Sequence, residues 1–363
     1  MGTARGIDRR QFLSTSAAAT AVCLAAPSIV TAQKTDQPLE VGQGEHRYRV
    51  HHNWAQLPSQ FTWQTTHNVA VDSEGLVYVI HEGQAELKDH PSIFVFDRDG
   101  RYVRSFGKQF QGGGHGIEVR REGNTEYLYV CAYQQVKSFA KLSLKGETVW
   151  QKYAPLESQL YPDEEAKNPQ KIWGRDRFMP TNFAFLPDGG FLLADGYGSF
   201  YIHRYDAQAN WVSCFGGPGE GQGKFDTPHG IWINEAPGAE ATIVITDRAH
   251  HTLQTFSMEG KYLQTVSGFG LPANVSTFES LLLVPELLGR VSLLDRQLKT
   301  VATLGDDAQR IKDDSQHAIR QHPEQWQAGK FVHPHDACFD QQGNIYVAEW
   351  VATGRVTKLE RIV

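Results

Sequence analysis

Phe225-Asp226-Thr227-Pro228-His229-Gly230-Ile231-Trp232-Ile233, then a polar loop, then Ile243-Val244-Ile245-Thr246-Asp247-Arg248, is the stretch that decides the fold. Two runs alternate apolar and polar residues around a turn, which is the pattern of an antiparallel strand pair. In such a pair the start of the first strand and the end of the second share one edge of the sheet. His229 and Arg248 are therefore expected as neighbours.

Copies of this unit run along most of the chain. The inner strands open at His67, His115, Thr181, His229, Ala273 and His335, and each is followed by further short alternating runs and Asp/Gly-rich turns. Six units of roughly 40 residues, each with four short strands, predict an all-β chain folded as a six-bladed β-propeller. The fifth unit, Pro272 to Leu304, is the most degenerate and the most apolar. Two polar insertions, 155–177 and a partly helical 306–330, are expected as loops over one face. The segment Tyr48 to Trp63 reads as irregular, with Trp54 and Trp63 covering an apolar edge.

Inner strands line a central channel, so the residues that open them point to one end of a common axis. His115, His229 and His335 lie in alternate blades, about 120° apart around the ring. Three imidazoles in that arrangement suit zinc with an open fourth position, and iron, copper or nickel remain alternatives for an all-nitrogen set. His67 is a fourth candidate, as ligand or as acid/base group. Asp336 follows His335 and, with the backbone carbonyls of Val69 and Ile117, offers oxygen donors to a hard ion such as calcium. A second ring at the ends of the second strands holds His81, Glu82, Tyr133, Tyr197, Arg248, His250, His251, Glu286, Glu349 and Trp350. Within it Tyr197 is expected as a phenolic base with its pKa lowered by metal and guanidinium charge, and Arg248 as a forked donor to an anionic oxygen.

The N-terminus reads differently. Asp8-Arg9-Arg10-Gln11-Phe12-Leu13 and the Ala-rich run to Ala26 have the form of a twin-arginine export signal, with small residues for cleavage at Val30-Thr31-Ala32. The expected layout is a signal over 1–32, a linker over 33–47 and the propeller over 48–363, in a periplasmic or secreted protein. Losing the signal removes three arginines and one aspartate and takes the net charge from −6 to −8. That balance gives no basic footprint for nucleic acid, and no membrane insertion is expected after cleavage. Cys131, Cys214 and Cys338 remain, an odd number in apolar runs, and read as buried small hydrophobes. A monomer is expected.

Gly114-His115-Gly116, Asp195-Gly196-Tyr197, Pro228-His229-Gly230, Asp247-Arg248 and Pro334-His335-Asp336 resemble, in order and blade position, the NHL-repeat propellers that include peptidyl-α-hydroxyglycine α-amidating lyase. The resemblance runs from about Tyr48 to Leu359. It implies zinc on His115, His229 and His335, a structural calcium at Asp336 with the Val69 and Ile117 carbonyls, Tyr197 as base and Arg248 as substrate contact. Two positions depart from the family. Glu82 stands where an active-site Arg is expected, so an attraction for a substrate carboxylate becomes a repulsion. His333 stands where the family has Met and adds an imidazole for catalysis or ligation. The expected function is a zinc-dependent, lyase-like enzyme acting on a small hydroxylated or carbonyl-bearing molecule or a peptide. The alternative is a non-catalytic propeller serving as a binding scaffold.

Overall fold

The computed structural model of the protein describes residues 38–235 and 238–362, so the expected leader, 1–32, lies outside the described residues. Six antiparallel sheets stand in a ring, five of four strands and one of five. Blade one is typical, with Thr66–Val71 innermost, then Val77–His81, Ile93–Phe96 and Tyr102–Phe106. Its turns are set by local chemistry. Asp72 Oδ1 accepts the amide hydrogens of Glu74 and Leu76, and Asp97, Asp206, Asp295 and Asp340 accept the amides two and four residues on in the same way. An aspartate at this place mimics a backbone turn and fixes the hairpin register.

Blade six departs from the expected layout. Its strands Pro334–Phe339, Ile345–Glu349 and Arg355–Arg361 are joined by His46–His51 from the other end of the chain, which pairs Val50 with Leu359, and Glu40–Gln43 adds a fifth strand. Part of the expected linker and of the irregular segment is thus the clasp of the ring. Tyr48 and Val50 are buried there, alternating with Arg47, Arg49 and His51, and two apolar positions in so short a run are too few to mark a strand.

Apolar side chains gather between blades. Six buried clusters each join two neighbours around the ring, such as Ile80 and Ile93 with Ile117 and Val130, or Leu283 and Leu293 with Val347 and Leu359. Every blade is covered on both faces, and Trp54 packs on Tyr346 at a ring distance of 4.9 Å, as expected for an edge cover. Cys131 is buried, Cys214 and Cys338 are half-buried, and all three are free thiols.

Both insertions dock on the same end of the ring. The first carries Glu165, whose carboxylate meets Lys137 of blade two in a fully buried pair at 3.0 Å. The second includes a helix, Ala308–Asp313, and two 3-10 turns, and buries Ile311 and Ile319 against Val332 and Val351.

The acids that end the second strands have a structural task. Asp195, Asp247, Glu286 and Glu349 accept the backbone N–H of Met179, Asp226, Gly270 and Val332, each two or three residues before its blade's inner-strand opener. Glu286 and Glu349, placed by the sequence in the functional ring, are such staples. Glu349 also holds the buried Arg355 with two contacts of 2.5 Å. Glu349→Ala is expected to leave that guanidinium unpaired and cost about 3–5 kcal/mol in urea unfolding. A loss under about 1 kcal/mol, the level of an exposed pair, would contradict the role.

Candidate metal centre and its cavity

Each inner strand that opens with histidine carries an irregularity at that residue. Thr66 pairs with His81 and Asn68 with Ile80, leaving His67 as the extra residue; His115 and His335 are extra in the same way, and His229 sits in the matching slip of blade four. Such bulges re-aim a side chain next to a site. Blade five shows the same one-residue slip around Ala273, between Pro272 opposite Glu286 and Ser276 opposite Leu283, so the bulge is a feature of the propeller that the histidines use.

Four imidazoles converge as a result. His67, His115 and His335 each offer a nitrogen within 4.8 Å of the others, a buried three-histidine group that can hold a metal ion. His229 joins it, with its Nε2 3.1 Å from Nε2 of His115. The outer nitrogens of three rings are fixed by the next blade. Nδ1 of His115, His229 and His335 bonds the carbonyls of Thr181, Ala273 and His67 at 2.9, 2.6 and 2.8 Å. A carbonyl only accepts, so each Nδ1 carries the proton and each Nε2 of the neutral ring presents a lone pair. Burial holds all three well below the ordinary histidine pKa, so the rings are neutral.

Two lone pairs facing each other at 3.1 Å repel unless a cation lies between them. Tetrahedral zinc with bonds of about 2.0–2.1 Å would set its nitrogens about 3.3 Å apart, so the donors fit such an ion. His67 differs: its Nε2 meets Glu82 Oε2 at 3.2 Å and its Nδ1 is buried without a partner.

Tyr197 and Arg248 stand over the cluster, as the hairpin reading expected for the arginine. Arg248 donates to the Tyr197 oxygen at 2.8 Å and lies 3.4 Å from His335 Nε2, and Tyr197 Oη is 3.1 Å from His229 Nε2. Since that Nε2 has no proton, the phenol donates to it, a bond that a metal on the same lone pair would replace. Burial pushes the Tyr197 pKa up and outweighs the pull of Arg248, so the lowered value expected for a base needs the metal charge as well.

Glu82 is engaged rather than free. Burial works to raise its carboxyl, but hydrogen bonds from His67 and Gln134 and the Arg320 charge outweigh it, and the group lies below the usual carboxylate value. The repulsion expected from the sequence is therefore largely spent on His67 and Gln134. His333 bonds the Leu287 carbonyl at 2.7 Å and packs near His317 and Trp350, and the structure does not bring it into the cavity lining. Other members of the expected ring stand apart: His81 stacks on Phe94 at 4.8 Å, and His250 pairs with Asp247 at 2.7 Å.

A cavity of about 500 Å3 opens above the cluster. His67 and His335 are at its base, with Tyr133, Trp173, Tyr197 and Trp350 among its walls. Trp173 and Arg320 come from the two insertions, and no motif in the sequence marked them.

Deeper along the axis is a second polar layer. The residues after the six openers are Asn68, Gly116, Asn182, Gly230, Asn274 and Asp336. Both glycines are required by close approach, since a Cβ on Gly116 would lie 2.4 Å from the Thr181 carbonyl oxygen, and one on Gly230 would lie 2.4 Å from Asn274 Cα. Asp336 accepts the Val69 amide at 2.9 Å and the Asn274 side chain, while Asn182 reaches Glu118 at 3.1 Å. Burial, then the Asp336 charge, pushes Glu118 up to about 8, and burial pushes Asp336 up to about 7. Two carboxylates so placed, with the Asn68 and Asn182 carbonyl oxygens unpartnered, form a donor set for a hard cation. Glu118 and the amide column were missed from the sequence, although the alignment that found the histidines displays that column one residue later. Val69 reaches Asp336 through its N–H, and Ile117 is buried in the inner strand of blade two.

No family model matches the chain, and no curated protein matches it. Among solved structures it is similar to virginiamycin B lyase from Staphylococcus aureus, at 10% identity over 87% of this chain and 100% of that one, with a TM-score of 0.51. It is also similar to a gluconolactonase from Xanthomonas campestris, at 11% identity over 89% of this chain and 95% of that one, TM-score 0.52. A putative gluconolactonase gives 11% identity over 87% and 94%, TM-score 0.53. The chain is a six-bladed propeller. At such identities the likeness speaks for the fold alone.

Proposed function

We propose that this chain is an exported metal-dependent enzyme, lyase-like, acting on a small hydroxylated or carbonyl-bearing molecule in the cavity above the histidine cluster. The observation that carries the reading is the pair of unprotonated Nε2 atoms of His115 and His229 facing each other at 3.1 Å, with their Nδ1 atoms tied to carbonyls. His115, His229 and His335 would hold zinc, and Asp336 and Glu118, with the Val69 and Ile117 carbonyls nearby, would hold calcium. The fold supports it, since propellers of this shape include proteins named as a lyase and as gluconolactonases.

A bound zinc ion supplies a positive charge that polarises a substrate oxygen. The chain's own groups do the rest. Tyr197 holds or takes a proton at Oη, and Arg248 stabilises both the phenolate and negative charge developing on the substrate. Glu82 orients His67 at the base of the cavity, and the aromatic walls keep bulk water from the reacting atoms. Elemental analysis of the protein exported by its own signal is expected to give about one zinc per chain, with turnover in a screen of α-hydroxyglycine peptides and related molecules. Metal-free protein with an intact fold would defeat the reading.

A further inference from the structure

The cavity holds two guanidinium groups and one carboxylate, and the carboxylate is already engaged. Glu82 is bonded by His67 and by Gln134. Arg248 bonds only Tyr197 and His335. Arg320 donates from Nε to the Trp350 carbonyl at 2.9 Å and from Nη2 to Thr65 Oγ1 at 3.2 Å, both neutral oxygens. Neither arginine forms an ion pair among the described residues. Two guanidinium groups thus share one carboxylate, whose charge reaches Arg320 without a direct ion pair, and the surplus positive charge favours a ligand that brings an anion.

Arg320 is also held ready. Its guanidinium lies 3.6 Å over the Trp350 ring, and the two hydrogen bonds fix one edge of the fork, leaving Nη1 without a protein partner. A stacked, tethered guanidinium loses little freedom on binding and presents a planar donor edge suited to carboxylate. The residue is carried in by the 306–330 insertion, whose Ile311 and Ile319 are buried against blade six. Trp173, from the other insertion, stands within 6.0 Å of Tyr133 and 5.7 Å of Tyr197 by ring centres, so a flat apolar surface faces the same space.

We propose that Arg320 is the anion-recognising residue of this cavity, and that through it the second insertion sets the substrate class as a small molecule bearing a carboxylate beside a flat apolar group. This rests on the reading that the histidine cluster is the working end of the cavity. The group binds and positions substrate and takes no part in bond making.

The test uses mandelate and mandelamide, which share a ring and a hydroxyl and differ in charge. Calorimetric titration of the purified protein is expected to show mandelate binding about tenfold or more tighter than mandelamide. Arg320→Met should lose most of that preference and leave mandelamide binding unchanged, and Arg320→Lys should recover part of it. Circular dichroism melts confirm that the variants fold. Equal binding of the two probes, no saturation by mandelate up to about 10 mM, or an unaltered preference in Arg320→Met would overturn the proposal. Metal content measured on the same samples separates the two readings. Metal present with no carboxylate preference defeats Arg320 alone, and a preference in protein that cannot take up metal defeats the enzyme reading alone.

Discussion

His115→Ala is expected to give a folded propeller that has lost its transition metal. His115 belongs to the group formed with His67 and His335, and it faces His229 at 3.1 Å, so it is also a member of the expected set with His229 and His335. Its removal therefore leaves neither set complete. The loss should far exceed the ~10–100-fold that follows from deleting an outer hydrogen-bond partner of a ligand. The fold should survive, because the ring is held by six apolar interfaces and the imidazole contributes a backbone tie to Thr181 rather than to any of those interfaces. Elemental analysis checks the metal, and the melting temperature gives a second readout: chelator should lower it for wild type and leave the variant unmoved. His229→Ala and His67→Ala then decide the third ligand. His229 shares the carbonyl tether of the other two rings and His67 does not, so metal should be lost with His229 and largely retained with His67. Unchanged metal content in His115→Ala would end the proposal.

The blades and their order were readable because a propeller repeats its signal: the turn aspartates, the period-two runs and the inner-strand openers recur at a steady spacing. His229 and Arg248 were likewise placed by strand pairing alone. What escaped is non-local or non-periodic. The clasp strand His46–His51 has meaning only beside Leu359, which is at the far end of the chain. The bulges that turn the histidines inward are register slips between strands, and no single strand shows them. Arg320 and Trp173 reach the cavity from insertions whose composition resembles that of any solvated loop. Glu286 and Glu349 were misplaced for a related reason. An acid at a strand end reads the same whether it faces a substrate or staples a backbone amide, and only the amide of Gly270 or Val332 at its carboxylate tells the two apart.

Tyr197→Phe should lower turnover by about 10^2–10^4 while leaving metal content and fold unchanged. The substitution removes one oxygen, which lies between Arg248 at 2.8 Å and His229 at 3.1 Å. The ring itself stays wedged between Tyr133 and Trp173, at 5.2 and 5.7 Å by ring centres, so the cavity keeps its shape. A proton moved in the transition state is not moved on binding, and the loss should therefore appear in kcat with little change in KM. Arg248→Met should behave differently, since that guanidinium faces both the phenol and the cavity: kcat falls with the lost support for phenolate, and KM rises with the lost anion contact. Because Arg248 acts in part through Tyr197, the double variant should lose less than the two single losses combined. Strict additivity would mean that Arg248 serves the substrate alone. A Tyr197→Phe enzyme as fast as wild type would remove the phenol from the chemistry and leave His67, oriented by Glu82, as the remaining proton carrier at the base of the cavity.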